Sequence, residues 1–151
     1  MGCRHTSGFT LIELLIVVAI IGIVSAIAIP NLMNAIDQSK QKRTMADIRA
    51  LGEAVESYAV DASFYPISGN LNALEGILKP TYIKVWPAAD GWQNGLVYTP
   101  DATPGQGYTI RSTGKDSVAE GSPSGGATKS FDCDIVFLNG QFMQWPEGTQ
   151  Q

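Results

Sequence analysis

The run GFTLIELLIVVAIIGIVSAIAIP, Gly8 to Pro30, constrains this chain more than any other feature. It carries one acid, Glu13, near its front edge, and no formal charge occurs from Leu14 to Ile36. At about 1.5 Å rise per residue, a helix of this length crosses a hydrocarbon core of roughly 30 Å. The run is longer than the roughly 7–15-residue apolar stretch of a secretory signal. A carboxylate at the entrance of such a run is expensive in lipid, so Glu13 reads as a functional residue with a partner to be found.

The helix is expected to continue past the apolar run. From Asp37 to Ala62 the pattern turns amphipathic: Ile48, Leu51, Val55, Tyr58 and Ala62 recur at three- and four-residue spacing and form one apolar stripe. Arg43 with Asp47, and Arg49 with Glu53, are i,i+4 pairs of opposite charge on the polar face. Pro30 and Gly22 should weaken the helix locally. Phe64-Tyr65-Pro66 ends it, because a residue before proline is pushed away from the helical region.

A small head follows. Asn70 is a candidate N-cap for a short helix from about Leu71 to Leu78, with Lys79-Pro80 as its stop. Tyr82 to Trp86 reads as a short extended piece. Leu96 to Thr99 and Tyr108 to Arg111 are candidate strands. Ile135 to Leu138 and Gln141 to Trp145 flank Asn139-Gly140, a strong hairpin signal compatible with a type I′ turn. Gly114 to Phe131 has no apolar period and reads as a long surface loop. The expected fold class is therefore α+β. A long N-terminal helix, apolar over 9–36 and amphipathic over 37–62, packs on a small antiparallel β-sheet head over 63–151.

Composition excludes several functions. A formal charge of −4 argues against a nucleic-acid partner. The single histidine, His5, precedes the apolar run, and no phosphate-binding glycine motif occurs, so the chain reads as non-catalytic. Two cysteines, Cys3 and Cys133, are present. If the segment before the run is removed, Cys133 stands alone and no internal disulfide forms. Trp86, Trp92 and Trp145 read as head core or rim. Lys40, Lys42 and Arg43 lie beyond the helix's apolar part while only Arg4 precedes it, so the charge rule for orientation is poorly obeyed.

Gly8-Phe9-Thr10-Leu11-Ile12-Glu13 resembles the GFTLIE signature of the type IV pilin superfamily, which includes type IV pilins and the pseudopilins of type II secretion. The resemblance implies a leader, residues 1–8, cut after Gly8 by a membrane prepilin peptidase, which then methylates the new amino terminus at Phe9. It makes Glu13 the assembly residue and places Pro30 where such helices often bend. It also supplies the orientation: leader in the cytoplasm, single span in the inner membrane, head in the periplasm.

A second resemblance covers about Tyr65 to Ile135. Tyr65-Pro66, Leu71-Asn72-Ala73-Leu74, Tyr82-Ile83-Lys84 and Trp86-Pro87 follow the order of major pseudopilins of type II secretion, and Asp90-Gly91-Trp92-Gln93-Asn94 is similar to their D-x-W-G-N segment. Gln93 stands where that family usually has glycine, and Gly95 where it often has proline. In that family a loop before the last strands binds calcium, and the resembling residues are Gly114-Lys115-Asp116-Ser117 and Asp132-Cys133-Asp134-Ile135. Asp116, Asp132 and Asp134 could give three carboxylates, with loop carbonyls completing the shell. The alternative is a solvated acidic loop without an ion.

The function implied is a structural subunit of a type II secretion pseudopilus, a short helical filament of identical copies that drives protein export. Its implied partners are the prepilin peptidase, an inner-membrane assembly platform with its ATPase, and minor pseudopilins or pilins. Two alternatives stay open. One is the subunit of an extracellular type IV pilus. The other is a membrane-tethered binding module that never polymerises.

Overall fold

The computed structural model describes residues 8–148. Helix α1 runs Leu11–Ala62 and helix α2 Leu71–Leu78; the strands are β1 (Val97–Pro100), β2 (Tyr108–Ser112), β3 (Gly126–Thr128), β4 (Ile135–Leu138) and β5 (Gln141–Pro146). Residues 1–7 of the expected leader, with Cys3 and His5, lie outside the described residues. The chain divides into two compact units, Met1–Ala35 and Ile36–Gln151.

In the first unit, the apolar side chains of α1 stand exposed, as Leu11, Ile20 and Ile29 illustrate. The helix is long and apolar enough to cross a membrane. It continues through Pro30. Proline lacks the N–H that would bond to Ala26 one turn back. One residue on, the Asn31 side-chain amide donates to the Ile27 carbonyl at 3.1 Å.

In the second unit, the predicted stripe of α1 forms the core. Ile48, Leu51 and Val55 are wholly buried with Leu74 and Leu78 of α2 and with Tyr98, Tyr108, Ile110, Ile135 and Phe137 from the sheet. Tyr58 packs against the edge of this cluster. Arg43 pairs with Asp47 at 3.6 Å as expected. Arg49 instead lies over the Phe142 ring, 5.4 Å from its centroid, where a weakly hydrated guanidinium gains from the aromatic face. Asn70 caps α2: its side-chain oxygen accepts from the Ala73 N–H at 2.7 Å.

The sheet order is β1-β2-β4-β5-β3. Four strands pair antiparallel, but β3 runs parallel to β5, so the sheet is mixed rather than purely antiparallel. β3 also lies inside the segment expected to be a plain loop. Gly126-Ala127-Thr128 has no apolar alternation to betray it. Thr128 Oγ1 donates to the Trp145 carbonyl, and the Glu147 N–H donates to the Thr128 carbonyl. Tyr82 to Trp86 is a turn followed by irregular chain, not an extended piece.

The Asn139-Gly140 turn joins β4 to β5 with φ of 45° and 86°, the double left-handed geometry of a type I′ turn. Asn139 also grips β2: its N–H donates to the Tyr108 carbonyl at 3.2 Å, and its side-chain oxygen accepts the Tyr108 N–H at 2.8 Å.

Candidate functional site

The front of α1 is built around Glu13. Gly8 and Phe9 precede the helix and are exposed. Thr10 stands at its N-cap. The Thr10 N–H and hydroxyl both donate to Glu13 Oε2, at 2.8 and 2.9 Å, and the Glu13 N–H donates to Thr10 Oγ1 at 3.3 Å. This is a capping box, in which residues three apart satisfy one another's orphan groups. Its T-x-x-E spacing is a signal local enough to be carried by the sequence, though the apolar run beside it is far stronger. Among the described residues no ion pair involves Glu13. The carboxylate is held at the helix start by two hydrogen bonds from Thr10, and no cation faces it among the described residues.

A second polar centre occupies Asp90 to Asn94. Asp90 is buried, and its Oδ1 accepts the N–H groups of Trp92 and Asn94 at 2.9 and 2.8 Å. Its Oδ2 accepts from the Ser112 hydroxyl at 2.8 Å. Gly91 lies against the main chain of α1 at Lys40, with no room for a Cβ. Its N–H donates to Thr44 Oγ1 at 2.8 Å. The Trp92 indole N–H donates to Asp37 Oδ1 at 3.1 Å, and Lys115 Nζ lies 2.9 Å from Asp37 Oδ2. Burial pushes the Asp37 carboxyl up, but the bonds from Lys115 and Trp92 outweigh it and hold the group below the usual carboxylate range. Asn94 Nδ2 donates to the Gly114 carbonyl at 2.7 Å, and the Ser117 hydroxyl donates to Asn94 Oδ1 at 2.6 Å. The five residues thus tie α1 to the end of β2 and to the loop after it. Gln93 has φ of 74°, which explains why glycine is favoured at this place.

The three expected calcium ligands are placed unequally. Asp134 is wholly buried. Its Oδ2 accepts the Glu120 N–H at 3.0 Å and lies 3.6 Å from Arg111 Nη1, while its Oδ1 is buried without a hydrogen-bond partner. Burial raises its pKa, and the nearby Glu120 and Asp116 carboxylates add to the rise. Asp116 Oδ1 accepts the Val118 N–H at 2.9 Å in an exposed turn. Asp132 is exposed in a turn, so the strand alternation that would align it with Asp134 does not apply there. Among the described residues, no three acidic, histidine or cysteine side chains are gathered as a metal cluster. Asp134 thus has the Arg111 guanidinium as well as the Glu120 and Asp116 carboxylates about it, and its orphaned Oδ1 is an oxygen of the kind a hard cation takes as ligand.

Residues that the sequence did not single out complete this loop. Glu120 Oε2 accepts from Gln144 Nε2 at 2.9 Å, and the same Gln144 nitrogen donates to the Asp134 carbonyl at 2.9 Å. The Gly125 N–H donates to Gln144 Oε1 at 3.3 Å. A buried glutamine in the last strand therefore pins the polar segment. Cys133 is half-buried and free, as a small filler would be.

Comparison with known proteins decides between the readings of this geometry. Residues 3–29 match the family model of the prokaryotic N-terminal methylation motif, and residues 31–130 match that of type II secretion system (T2SS), protein G. The chain belongs to the type II secretion system protein G family. Curated relatives named type II secretion system core protein G include that of Pseudomonas aeruginosa, 33% identical over 85% of this chain and 97% of the relative. That of Vibrio cholerae is 36% identical over 71% of this chain and 77% of the relative. That of Escherichia coli is 33% identical over 72% and 81%. No solved structure matches the chain. The protein G match covers the Asp90–Asn94 centre and Asp116. It stops at 130, short of Asp132 and Asp134.

Proposed function

We propose that this chain is the structural subunit of a type II secretion pseudopilus and has no catalytic role. A prepilin peptidase cuts after Gly8 and methylates Phe9. The new ammonium of one copy then meets the Glu13 carboxylate of its neighbour at the same membrane depth. In low dielectric that attraction is large, and desolvation offsets much of it, so the gain is chiefly one of register: a misplaced copy leaves a charge unpaired. The head lies in the periplasm. The inner-membrane platform, its ATPase and minor pseudopilins assemble the copies into a helical filament. The observation that carries this reading is Glu13, capped by Thr10 but without an ion-pair partner among the described residues, at the start of a membrane-length helix within a methylation-motif match.

The test compares Glu13→Ala with Glu13→Gln in cells carrying the assembly machinery. Glutamine keeps an acceptor for Thr10 and removes the charge. Both variants are expected to be cleaved and methylated, and both to yield no filaments by electron microscopy. Filaments at the native level from Glu13→Gln would overturn the charge pairing.

Calcium belongs to the same proposal. Asp134 and Asp116 would hold it, with Asp132 and loop carbonyls completing the shell, and the ion would neutralise the buried carboxylate. Calcium is expected to raise the melting temperature of the protein, and Asp132→Ala to abolish the rise. Equal stability in calcium and in chelator would remove the ion.

A further inference from the structure

The buried face of α1 changes chemistry along its length. Its buried positions begin Asp37, Gln41, Thr44 and continue Ile48, Leu51, Val55. The spacing is that of one continuous helix face. The first three residues are polar and the next three apolar. Burying polar groups is unfavourable unless partners replace water. The head supplies partners for two of the three. Asp37 takes the Trp92 indole N–H and the Lys115 ammonium, and Thr44 takes the Gly91 N–H.

The two kinds of attachment respond differently to opening. Apolar burial at Ile48, Leu51 and Val55 is lost outright when water enters. The polar contacts exchange one hydrogen-bond partner for another, so each holds with only a modest net free energy. Lys115 is itself about half exposed, with 46% of its side chain accessible, so its pairing with Asp37 is open to solvent and salt. Of the apolar residues that flank this section, Ile36 is exposed and Met45 is only partly buried against the core.

We propose that residues 37–44 of α1 form a polar latch, closed by Asp37 on Trp92 and Lys115 and by Thr44 on Gly91, which releases from the head while the apolar section from Ile48 onward stays docked. The head therefore carries a built-in joint one turn before its hydrophobic core begins. Lys115 belongs to the loop of Gly114 to Ser117, and Asn94 ties that loop to the segment carrying Gly91 and Trp92, so a change in the loop reaches α1 directly through Lys115 and indirectly through that segment. The inference concerns the head alone and holds whether or not the chain polymerises.

Amide hydrogen exchange on the full chain in detergent micelles tests it. In the unaltered protein, amides 38–45 are expected to exchange at least about tenfold faster than amides 49–56, as a separately opening unit does. Raising salt to about 1 M should widen that gap. Lys115→Ala and Trp92→Phe should each speed exchange at 38–45 by about tenfold and leave 49–56 unchanged. In Lys115→Ala the salt effect should vanish. Equal protection of the two segments in the unaltered protein overturns the latch, whatever the variants do. So does a variant that speeds both segments together, or one that speeds neither.

Discussion

Gly91 and Lys40 meet main chain to main chain: the Gly91 α-carbon sits over the Lys40 carbonyl with no space for a methyl group between them. The contact brings the Asp90–Asn94 centre onto α1 and lets the Gly91 N–H reach Thr44. A side chain there would push against backbone, which cannot swing aside as a flexible neighbour could. Gly91→Ala is expected to lower stability by about 2–3 kcal/mol, the scale of overpacking in a close-packed interior. Denaturant unfolding of the detergent-solubilised protein measures it. A loss below about 0.5 kcal/mol, as at an ordinary surface site, would show that the strand of chain relaxes freely.

Gln93 presents the opposite case. Its φ of 74° is a left-handed conformation that costs a side-chain-bearing residue roughly 1–2 kcal/mol. Glycine adopts it without that penalty and loses some of the gain to its freer unfolded chain. Gln93→Gly is therefore expected to raise stability by a few tenths to about 1 kcal/mol, read as a higher melting temperature. A lower melting temperature would mean that the Gln93 side chain holds the turn.

Tyr108 and Tyr65 both donate to Glu56, at 2.9 and 3.0 Å, one to each carboxylate oxygen. Burial, then the Glu56 carboxylate, pushes the Tyr108 hydroxyl far above its usual range, so it stays a donor at any ordinary pH. Tyr108→Phe keeps the ring in the core and leaves one Glu56 oxygen without its donor. The expected loss is about 1–2 kcal/mol by chemical denaturation. A neutral substitution would mean that water replaces the hydroxyl.

Acid should weaken the Asp37 attachment. Its folded pKa lies below the ordinary value, so it contributes stability above the ordinary carboxylate pKa of about 4 and loses it as pH falls through the folded value. Asp37→Asn lacks this dependence. The melting-temperature gap between the two proteins is expected to be widest near neutrality and to close below about pH 4. A gap constant from pH 7 to pH 3 would show that the charge of Asp37 contributes nothing.

Local pattern carried much of this protein. The apolar run, the amphipathic period through Ile48, Leu51 and Val55, the Asn70 cap and the Asn139-Gly140 turn are short-range signals, and each found its element. The capping box of Thr10 and Glu13 is equally local, a T-x-x-E spacing at the edge of the apolar run. Glu13 itself was legible because a charge inside an apolar run is anomalous from sequence alone.

Chain order by itself determined the helix, the hairpin and the isolated acid Glu13 inside the apolar run, because period, turn chemistry and composition act within a few residues. Folding in three dimensions decided the rest. Asp37 reads as an ordinary solvated acid until Trp92 and Lys115, 55 and 78 residues away, bury it. Gln144 is one polar residue in a strand by sequence, and only the fold buries it between Glu120 and Asp134. β3 has no pattern of its own and exists only because β5 offers an edge. A polar side chain does not declare its partner in sequence, since hydrogen bonds have no period along the chain.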